Sequence, residues 1–480
     1  MITKFNLLRN WRDQGAGHQA APPLTRPNLA QLAQPGTELP QFVRDSGLAQ
    51  HYLTLLGQLD WDHFPERNPE RPWPGSPPQP RAPFVAAYLI KLDQKLRYMS
   101  DLRTFLKQQP ALIWLLGFRL QPSSAFEWGF DPERSLPHVR HFRLVLRTLP
   151  NAGLQFLLDN SVNLIRAELP PELEFGQQIC GDTKHILAWV KENNPKAYVS
   201  RRERYDKTRQ PKADRDCKLG CKRRSNQIKT PAAEGVPART VSVGEYYWGY
   251  ASGLIATKVP GWGEVVLAEM TQTFDKGDTT FFLPLMTATE ARLGFKPPFG
   301  AFDAAFDAWY VYDYFNEAGG FAAVPYVNRT RIKRQFDAEG LPLCPAGLGM
   351  PLHSSFMNHR GLVSQRMGRY VCPLRFPEPT DTACPIDHPK WSAGGCVLKM
   401  GVSPGARLRY QLDRDSDAYQ RLYNQRTATE RINALAVELG IERPKLRNQQ
   451  AITNLNTLIY VLINLRTWRR IGRHKGQAAT

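Results

Sequence analysis

The sequence contains no apolar segment long enough to cross a membrane. Its most apolar run, residues 455–465 (LNTLIYVLINL), is shorter than the roughly 20 residues that a spanning helix needs, and it contains asparagines. The opening stretch, MITKFNLLRNWRDQG, has neither the apolar core nor the small-residue cleavage site of an export signal. These absences predict a cytoplasmic protein that is not inserted in a membrane.

Cysteines are also few. The chain has 7 of them in 480 residues, an odd number, which argues against a disulfide framework in a protein without an export signal. Metal binding or packing in the interior is the expected role of these thiols.

Acidic residues are in the minority. The chain has 44 Asp and Glu against 63 Lys and Arg, a formal charge of +19, while 42% of its residues are hydrophobic. The apolar content predicts a globular protein, and the positive surplus indicates a polyanionic partner. Because no spanning segment is present, nucleic acid is favoured over an anionic membrane surface.

The first 170 residues predict an all-α region. Residues 1–35 are polar, with scattered Pro and Gly, as in a loosely ordered arm, and residues 39–169 have helical periodicity. One break at residues 65–83 contains eight prolines and predicts an extended linker. We interpret residues 1–170 as an N-terminal arm and a helical DNA-binding region.

The pattern changes after Pro170 to short runs rich in β-branched and aromatic residues, which predict strands. Together with two helices they give the order β-β-β-α-β-α-β, at residues 177–182, 245–259, 263–273, 280–293, 299–303, 306–315 and 321–327. A stretch rich in Cys, Pro and Gly follows at residues 328–405, and then helices at 415–439 and 449–468. This order predicts an α/β, ribonuclease-H-like catalytic domain over residues 171–480, interrupted by a β-rich insertion.

Three acidic residues lie where such a domain would need them. Asp182 and Asp303 end the first and fourth predicted strands, and Glu430 lies in the helix after the insertion. Two-metal phosphoryl transfer requires carboxylates that converge from separate elements. Since an Asp at a strand end is more often a turn or capping residue, the prediction depends on the three occurring together.

The helix around Glu430 carries the most specific pattern. At about 100° per residue, one stripe of roughly 80° contains Tyr423, Arg426, Glu430, Asn433 and Val437. The alternative interpretation is an ordinary Arg–Glu pair on a solvated helix face.

These residues resemble a known family. Tyr423, Arg426 and Glu430 match the Tyr-x2-Arg-x3-Glu signature of bacterial insertion-sequence transposases of the Asp-Asp-Glu class. The segment Phe302–Asp307 (FDAAFD) and the tripeptide Trp248-Gly249-Tyr250 are similar to further motifs of that family, and MSDLRTFLKQQPALIWLLGF is similar to its N-terminal helical region. The resemblance extends over about residues 85 to 470.

The resemblance implies a DNA transposase that cleaves the phosphodiester at element ends and joins the 3′-hydroxyl to target DNA. Asp182, Asp303 and Glu430 would bind Mg²⁺ or Mn²⁺, and Tyr423 and Arg426 would hold a phosphate. Double-stranded DNA and a second copy of the chain, on paired ends, are the implied partners, which places the protein with the nucleoid. The family has a Lys where this chain has Val437, so the sequence leaves open whether a DNA hairpin is an intermediate.

The predicted insertion contains four cysteines, 28, 12 and 12 residues apart, three of them followed by Pro. Four thiolates can hold a structural Zn²⁺, although no C-x2-C pair is present, and packing as small apolar residues is the alternative. The candidate ligands are Cys344, Cys372, Cys384 and Cys396.

Residues 196–229 contain thirteen Lys and Arg against four Asp and Glu. Such a run is often a solvated loop, but in a protein this basic it also predicts contact with DNA phosphates. The candidate contacts are Arg201, Arg202, Lys222, Arg223 and Arg224. The segment 466–470 is a second basic candidate.

Two rival functions remain on the sequence alone. One is a stand-alone nuclease or resolvase on the same fold, which would cut DNA without joining it. The other is a domesticated, non-catalytic DNA-binding protein of transposon origin.

Overall fold

The computed structural model describes residues 27–67, 79–230, 239–327 and 334–478, with side chains for all of them except 223–230, 239–242 and 476–478. Residues 1–26 of the predicted arm and 68–78 of the predicted linker lie outside the described residues. The protein is a mixed α/β structure, as predicted.

The N-terminal part of the described chain is helical. Its helices are α1 (Leu29–Leu32), α2 (Gln41–Arg44), α3 (Gly47–Leu56), α4 (Ala82–Asp93), α5 (Met99–Lys107), α6 (Pro110–Leu116), α7 (Pro132–Ser135), α8 (Val139–Thr148) and α9 (Asn151–Glu168). The linker predicted at residues 65–83 extends too far towards the C-terminus, because Pro83 lies in the first turn of α4. Proline is tolerated there since the first amides of a helix have no partner within the helix.

The central part of the chain forms a sheet with helices. Its elements are β1 (Gln178–Leu187), α10 (Arg201–Arg204), β2 (Lys218–Thr230), β3 (Arg239–Val259), β4 (Gly263–Thr273), α11 (Thr279–Leu293), β5 (Phe299–Ala301), α12 (Trp309–Glu317) and β6 (Phe321–Ala323). Asp182 therefore lies inside β1 rather than at its end, and the strands predicted at 299–303 and 321–327 are shorter than expected.

Strand β3 organises the sheet because its two halves have different partners. Its first half pairs with β2, and its second half lies between β4 and β1, antiparallel to both. On the other side of β1, strands β5 and β6 continue the sheet in parallel. The core of the sheet therefore has the order β4-β3-β1-β5-β6, and β2 with the first half of β3 forms an antiparallel extension.

The C-terminal part contains the predicted insertion and four helices. Its elements are β7 (Leu352–Asn358), β8 (Gln365–Val371), β9 (Val397–Gly401), α13 (Pro404–Gln411), α14 (Asp417–Tyr423), α15 (Thr427–Glu438) and α16 (Gln449–Ala478). Strands β7, β8 and β9 form a separate antiparallel sheet with a small core of its own. The three strands lie within residues 328–405, the range predicted as a β-rich insertion.

The prediction of a single helix at residues 415–439 is wrong in one respect. The helix is divided into α14 and α15 by a 3-10 turn at Asn424–Arg426. The hydroxyl of Thr427 donates to the carbonyl of Asn424 at 2.9 Å, and that of Thr429 to the carbonyl of Arg426 at 2.7 Å. Side-chain hydroxyls that bond to preceding carbonyls commonly perturb a helix in this way. Residues three apart still share a face in a 3-10 turn, so Tyr423 and Arg426 remain neighbours.

Helix α16 packs against both the N-terminal helices and the sheet. It contacts α4, α8 and α9 and also β4. The fully buried Asn464 shows how the contact is made: its amide accepts from the Val266 amide and donates to the Val266 carbonyl and the Ser161 hydroxyl, all at 2.9–3.0 Å. The side chain thus satisfies the edge of β4, which has no further strand beside it in the described chain.

A buried ion pair fixes the segment after the insertion to the core. Asp307, whose side chain is 2% exposed, accepts two hydrogen bonds from the guanidinium of Arg409 on α13, at 2.6 and 2.7 Å. Tyr312 and the amide of Val327 also donate to this carboxylate. The second Asp of the FDAAFD motif is therefore structural, and it orients the chain that leads into α14 and α15.

Candidate active site

The three carboxylates predicted to act together line one cleft with a volume of about 830 Å³. Asp182 comes from β1, Asp303 from the residues after β5, and Glu430 from α15. The cleft is also lined by Asp278, and by positively charged or polar side chains on β1, β2, the β4–α11 turn and α15: Lys184, His185, Lys222, Lys276 and Asn433.

Parallel pairing explains why Asp182 and Asp303 meet. Cys180 on β1 is directly opposite Ala301 on β5, and each aspartate follows two residues later. Gly181 leaves room for the Phe302 ring, with which a Cβ at this position would collide. The Cys-Gly-Asp and Ala-Phe-Asp sequences thus present two carboxylates at the same level of adjacent strands.

The surroundings of Asp182 disfavour its charge. Its pKa is raised to about 6, chiefly by burial and to a smaller extent by the charges of Asp303 and Asp278, whereas the Thr183 amide and Arg426 act in the opposite direction. Its Oδ1 accepts from the Thr183 amide at 2.9 Å, and its Oδ2 accepts from Nδ2 of Asn433, also at 2.9 Å.

Burial also raises the pKa of Asp303 above its usual range. The carboxylate accepts from the Ala305 amide at 3.0 Å and so caps the 3-10 turn that follows β5. The guanidinium of Arg426 partly offsets the rise in the pKa of both Asp303 and Asp182. One positive charge therefore lies close to both carboxylates.

Glu430 has a different environment. Its side chain is 56% exposed, and its Oε1 is 2.6 Å from Nη2 of Arg426. The Arg426–Glu430 pair that the sequence offered as an alternative is therefore formed, but at the cleft rather than on a remote solvated face. Tyr423 stacks on Tyr419 at 5.8 Å and lies 5.9 Å from the Arg426 guanidinium carbon.

The sequence analysis missed Asp278. The residue occupies the N-cap position of α11, yet its side chain makes no capping hydrogen bond. Instead its carboxylate accepts from the Thr183 hydroxyl at 2.8 Å, and burial and the charge of Asp303 raise its pKa. In the run Asp-Lys-Gly-Asp it was indistinguishable from an ordinary turn and cap; only its place beside β1 reveals it.

The predicted DNA contacts are dispersed. Lys222 lines the cleft, whereas Arg201 and Arg202 lie exposed on the short helix α10 and do not line it. Arg223 and Arg224 belong to β2, and their side chains lie outside the described part of the structure.

Three of the four cysteines of the insertion approach one another. The pKa of Cys396 is raised to about 12, chiefly by burial and also by the nearby thiols of Cys372 and Cys344, with Cys372 within hydrogen-bonding reach. Cys344 and Cys396 pack in the small core beneath the β7–β9 sheet. All seven cysteines of the protein, every one of them in a described segment, are free thiols.

Within the described residues, no group of three or more His, Cys, Asp or Glu side chains is arranged to hold a metal ion. In the cleft, Glu430 is directed to Arg426, and Asp182 accepts from Asn433 and the Thr183 amide. None of the helices in the described segments is long and apolar enough to cross a membrane.

Comparison of this chain with protein-family models, with curated proteins and with solved structures finds no match.

Proposed function

We propose that this protein is a DNA transposase, a phosphoryl-transfer enzyme with a ribonuclease-H-like catalytic domain. The observation that carries the proposal is the meeting of Asp182, Asp303 and Glu430 in one cleft, from three elements far apart in the chain. The sheet order supports the fold assignment. Apart from the extension formed by β2, the antiparallel strands β4, β3 and β1 lie beside two strands that are parallel to β1, with Asp182 on the central strand β1 and Asp303 two residues after its parallel neighbour β5.

The carboxylates of the cleft are donors of the kind that Mg²⁺ and Mn²⁺ bind, although the described side chains are not arranged around a metal ion. Both ions prefer carboxylate oxygens, and burial raises the pKa values of Asp182 and Asp303, so bound cations would stabilise the charged form of both carboxylates. Asp182, Asp303 and Glu430 would hold the ions, with Asp278 adjacent. Bound there, divalent ions would supply a nucleophile at neutral pH and stabilisation of the leaving oxygen.

The chain's own residues would position the DNA. Arg426, with Tyr423 beside it, would hold a phosphate next to the carboxylates through its two-pronged guanidinium, although neither side chain is among the residues that line the cleft. Asn433 orients Asp182. Lys184, Lys222 and Lys276 bring further positive charge to the cleft walls, which favours approach of the phosphate backbone.

The reaction would proceed in two displacements. In the first, a water oxygen attacks the phosphorus at the element end, the bond to the 3′-oxygen breaks, and a 3′-hydroxyl is released. In the second, this 3′-hydroxyl attacks a phosphodiester of target DNA, and a target 3′-oxygen leaves. Two ends require two such sites, so the proposal includes a homodimer on paired double-stranded DNA ends, acting at the nucleoid in the cytoplasm.

The insertion would have a structural role. The approach of Cys344, Cys372 and Cys396 supports the proposal that these thiols, with Cys384, hold a zinc ion. Such a site would substitute for the large apolar core that the β7–β9 sheet lacks.

The proposal is tested with DNA that contains the inverted repeats flanking the gene. Purified protein with Mg²⁺ should cleave at the repeat ends and then join them to a second DNA. Asp182→Asn, Asp303→Asn and Glu430→Gln should each abolish cleavage and leave DNA binding intact. Cleavage without joining would identify a stand-alone nuclease, and binding without cleavage would identify a non-catalytic DNA-binding protein.

A further inference from the structure

A second cavity, of about 880 Å³, lies between the N-terminal helices and the end of α15. Nine lysines and arginines line it, and Glu438 is the one acidic residue among its described lining residues. The cations come from α4 and the residues after it, from α8, and from the segment between α15 and α16. We call this cavity the basic groove.

Helix α8 provides one wall of the groove. Arg140, Arg143 and Arg147 follow one another at three and four residues, so they share one face of the helix. The opposite face is buried through Phe142, Val145 and Leu146. All three arginines are exposed, and none of them forms an ion pair with a described residue.

The other wall combines cations with an exposed aromatic ring. Trp189 is 41% exposed, with the Arg447 guanidinium carbon 4.6 Å and the Lys445 ammonium 5.6 Å from its ring. Arg447 also donates to the Trp189 carbonyl at 3.2 Å, which fixes its position. Aromatic rings interleaved with basic side chains are typical of surfaces that follow a nucleic-acid backbone.

Lys91, which also lines the groove, is more buried than a lysine on an ordinary solvated basic face. Burial lowers its pKa to about 8, and Asp101 opposes this effect. Its ammonium donates to the Leu96 carbonyl at 2.6 Å. A lysine held in a partly dry cavity among other cations is destabilising for the isolated protein, and an anionic occupant would offset that cost.

The groove adjoins the catalytic cleft. Val437 lines the cleft and the next residue, Glu438, lines the groove. From Glu430 to Glu438 the rise along the helix is about 12 Å, or three to four base pairs of duplex. A DNA strand with its phosphate at Glu430 would therefore reach the groove within a few nucleotides.

We propose that the basic groove binds the phosphate backbone of duplex DNA a few base pairs from the phosphate that is cleaved. This inference rests on the proposed function for the identity of the occupant. It assigns DNA binding to residues outside the basic stretch at 196–229, and it joins the N-terminal helices and the catalytic domain in a single binding surface.

The test measures binding of a fluorescent DNA duplex at several salt concentrations, without divalent ions, so that no cleavage is needed. The test variant is Arg140→Gln/Arg143→Gln/Arg147→Gln. The control variant removes the same charge from three surface lysines that pair with acids elsewhere, Lys107→Gln/Lys296→Gln/Lys475→Gln.

The groove variant should bind at least about tenfold more weakly near 0.1 M salt, and the slope of log K against log salt should fall by roughly 2 to 3, one contact per arginine. The control should keep a slope close to that of the parent. DNA should also change the tryptophan fluorescence of the parent more than that of Trp189→Phe. Circular dichroism checks that all variants are folded.

Equal slopes for the groove and control variants would overturn the proposal. So would a groove variant that binds DNA normally but loses binding to vesicles of phosphatidylglycerol and phosphatidylcholine, since that would make the groove a lipid contact. The outcome is independent of catalysis: loss of DNA binding in a protein that never cleaves DNA would support the groove and contradict the proposed function. If the parent protein cleaves DNA and the groove variant binds and cleaves DNA like the parent, the proposal for the groove is wrong and the proposed function is not affected.

Discussion

Asn433 on α15 donates a hydrogen bond of 2.9 Å from Nδ2 to Oδ2 of Asp182 on β1, across 251 residues of sequence. The same amide has its other atom, Oδ1, buried without a partner. A buried polar atom without a partner is costly, so the bond to Asp182 is the one side-chain hydrogen bond that holds this amide at the cleft. We interpret Asn433 as a positioning residue that holds Asp182 in the cleft and joins α15 to the central strand.

Asn433→Ala should therefore lower the rate of DNA cleavage by about ten- to a hundredfold, the effect of losing one hydrogen bond to a charged group. The loss should appear in kcat and in the Mg²⁺ concentration needed for activity, with little change in DNA affinity. The exposed Asn163→Ala on α9 is the control. A lower melting temperature with unchanged kinetics would mean that Asn433 is only structural.

Asp278→Asn should impair cleavage, because its carboxylate adds negative charge beside Asp182 and Asp303. Asp275→Asn, three residues earlier in the same turn, is the matched control: this aspartate is exposed and accepts from the Thr273 hydroxyl at 2.6 Å. Both variants should bind duplex DNA like the parent. If Asp278→Asn cleaves as fast as Asp275→Asn, the fourth carboxylate takes no part in the reaction.

Arg426→Lys retains a positive charge but loses the planar guanidinium that can hold a phosphate with two hydrogen bonds. We expect cleavage to fall about ten- to a hundredfold, with DNA binding and thermal stability close to those of the parent. Arg431→Lys provides the control, since Arg431 lies on α15 and pairs with Glu264 at 2.6 Å. Unchanged cleavage by Arg426→Lys would reduce Arg426 to an ion-pair partner of Glu430, worth at most about 0.5 kcal/mol.

The sequence predicted the parts of the cleft that depend on local pattern. Asp182 and Asp303 follow short apolar runs, and parallel pairing of those runs is enough to bring the two carboxylates together. Asp278 could not be found in this way. It lies in a turn of unremarkable composition, and its place in the cleft depends on how α11 packs against the sheet.

Other differences between the sequence predictions and the structure also have physical causes. Strand β2 was missed because its Lys and Arg residues conceal the alternation that identifies a strand, and it lies in an extension of the sheet rather than in its core. The break between α14 and α15 depends on two threonine hydroxyls that no periodicity reveals. The basic groove is assembled from segments more than 300 residues apart, so its charge is spread through the sequence.

The zinc proposal predicts about one equivalent of metal in protein purified under reducing conditions. Cys344→Ser, Cys372→Ser and Cys396→Ser should each release it and lower the melting temperature, because these thiols lie close together. Cys384→Ser tests whether the fourth cysteine is also a ligand, and Cys217→Ser, outside the insertion, is the control. Absence of metal from the parent protein would leave packing as the role of the cluster.

The last prediction concerns Glu269, a buried carboxyl on β4 at the contact between the sheet, α9 and α16. Burial raises its pKa to about 7, although Thr457, Gln155 and Arg292 favour the charged form. Its Oε1 accepts from the Thr457 hydroxyl and from Nε2 of Gln155, whereas Oε2 is buried without a partner.

Because the folded pKa lies above the usual value of 4.5, the folded state retains this proton over a range in which the unfolded chain has lost it. The stabilising contribution is therefore complete below about pH 4.5 and is lost as the pH rises through about 7, up to roughly 3 kcal/mol.

Glu269→Gln keeps the accepting oxygen and removes the charge. It should be more stable than the parent at pH 8, and this advantage should shrink towards pH 5, as measured by urea denaturation at both values. Gln155→Glu, which would add a second carboxyl beside Glu269, should be destabilising, and more so at pH 8. If Glu269→Gln is instead less stable than the parent at pH 8, Glu269 is charged in the folded protein and acts as the partner of Arg292.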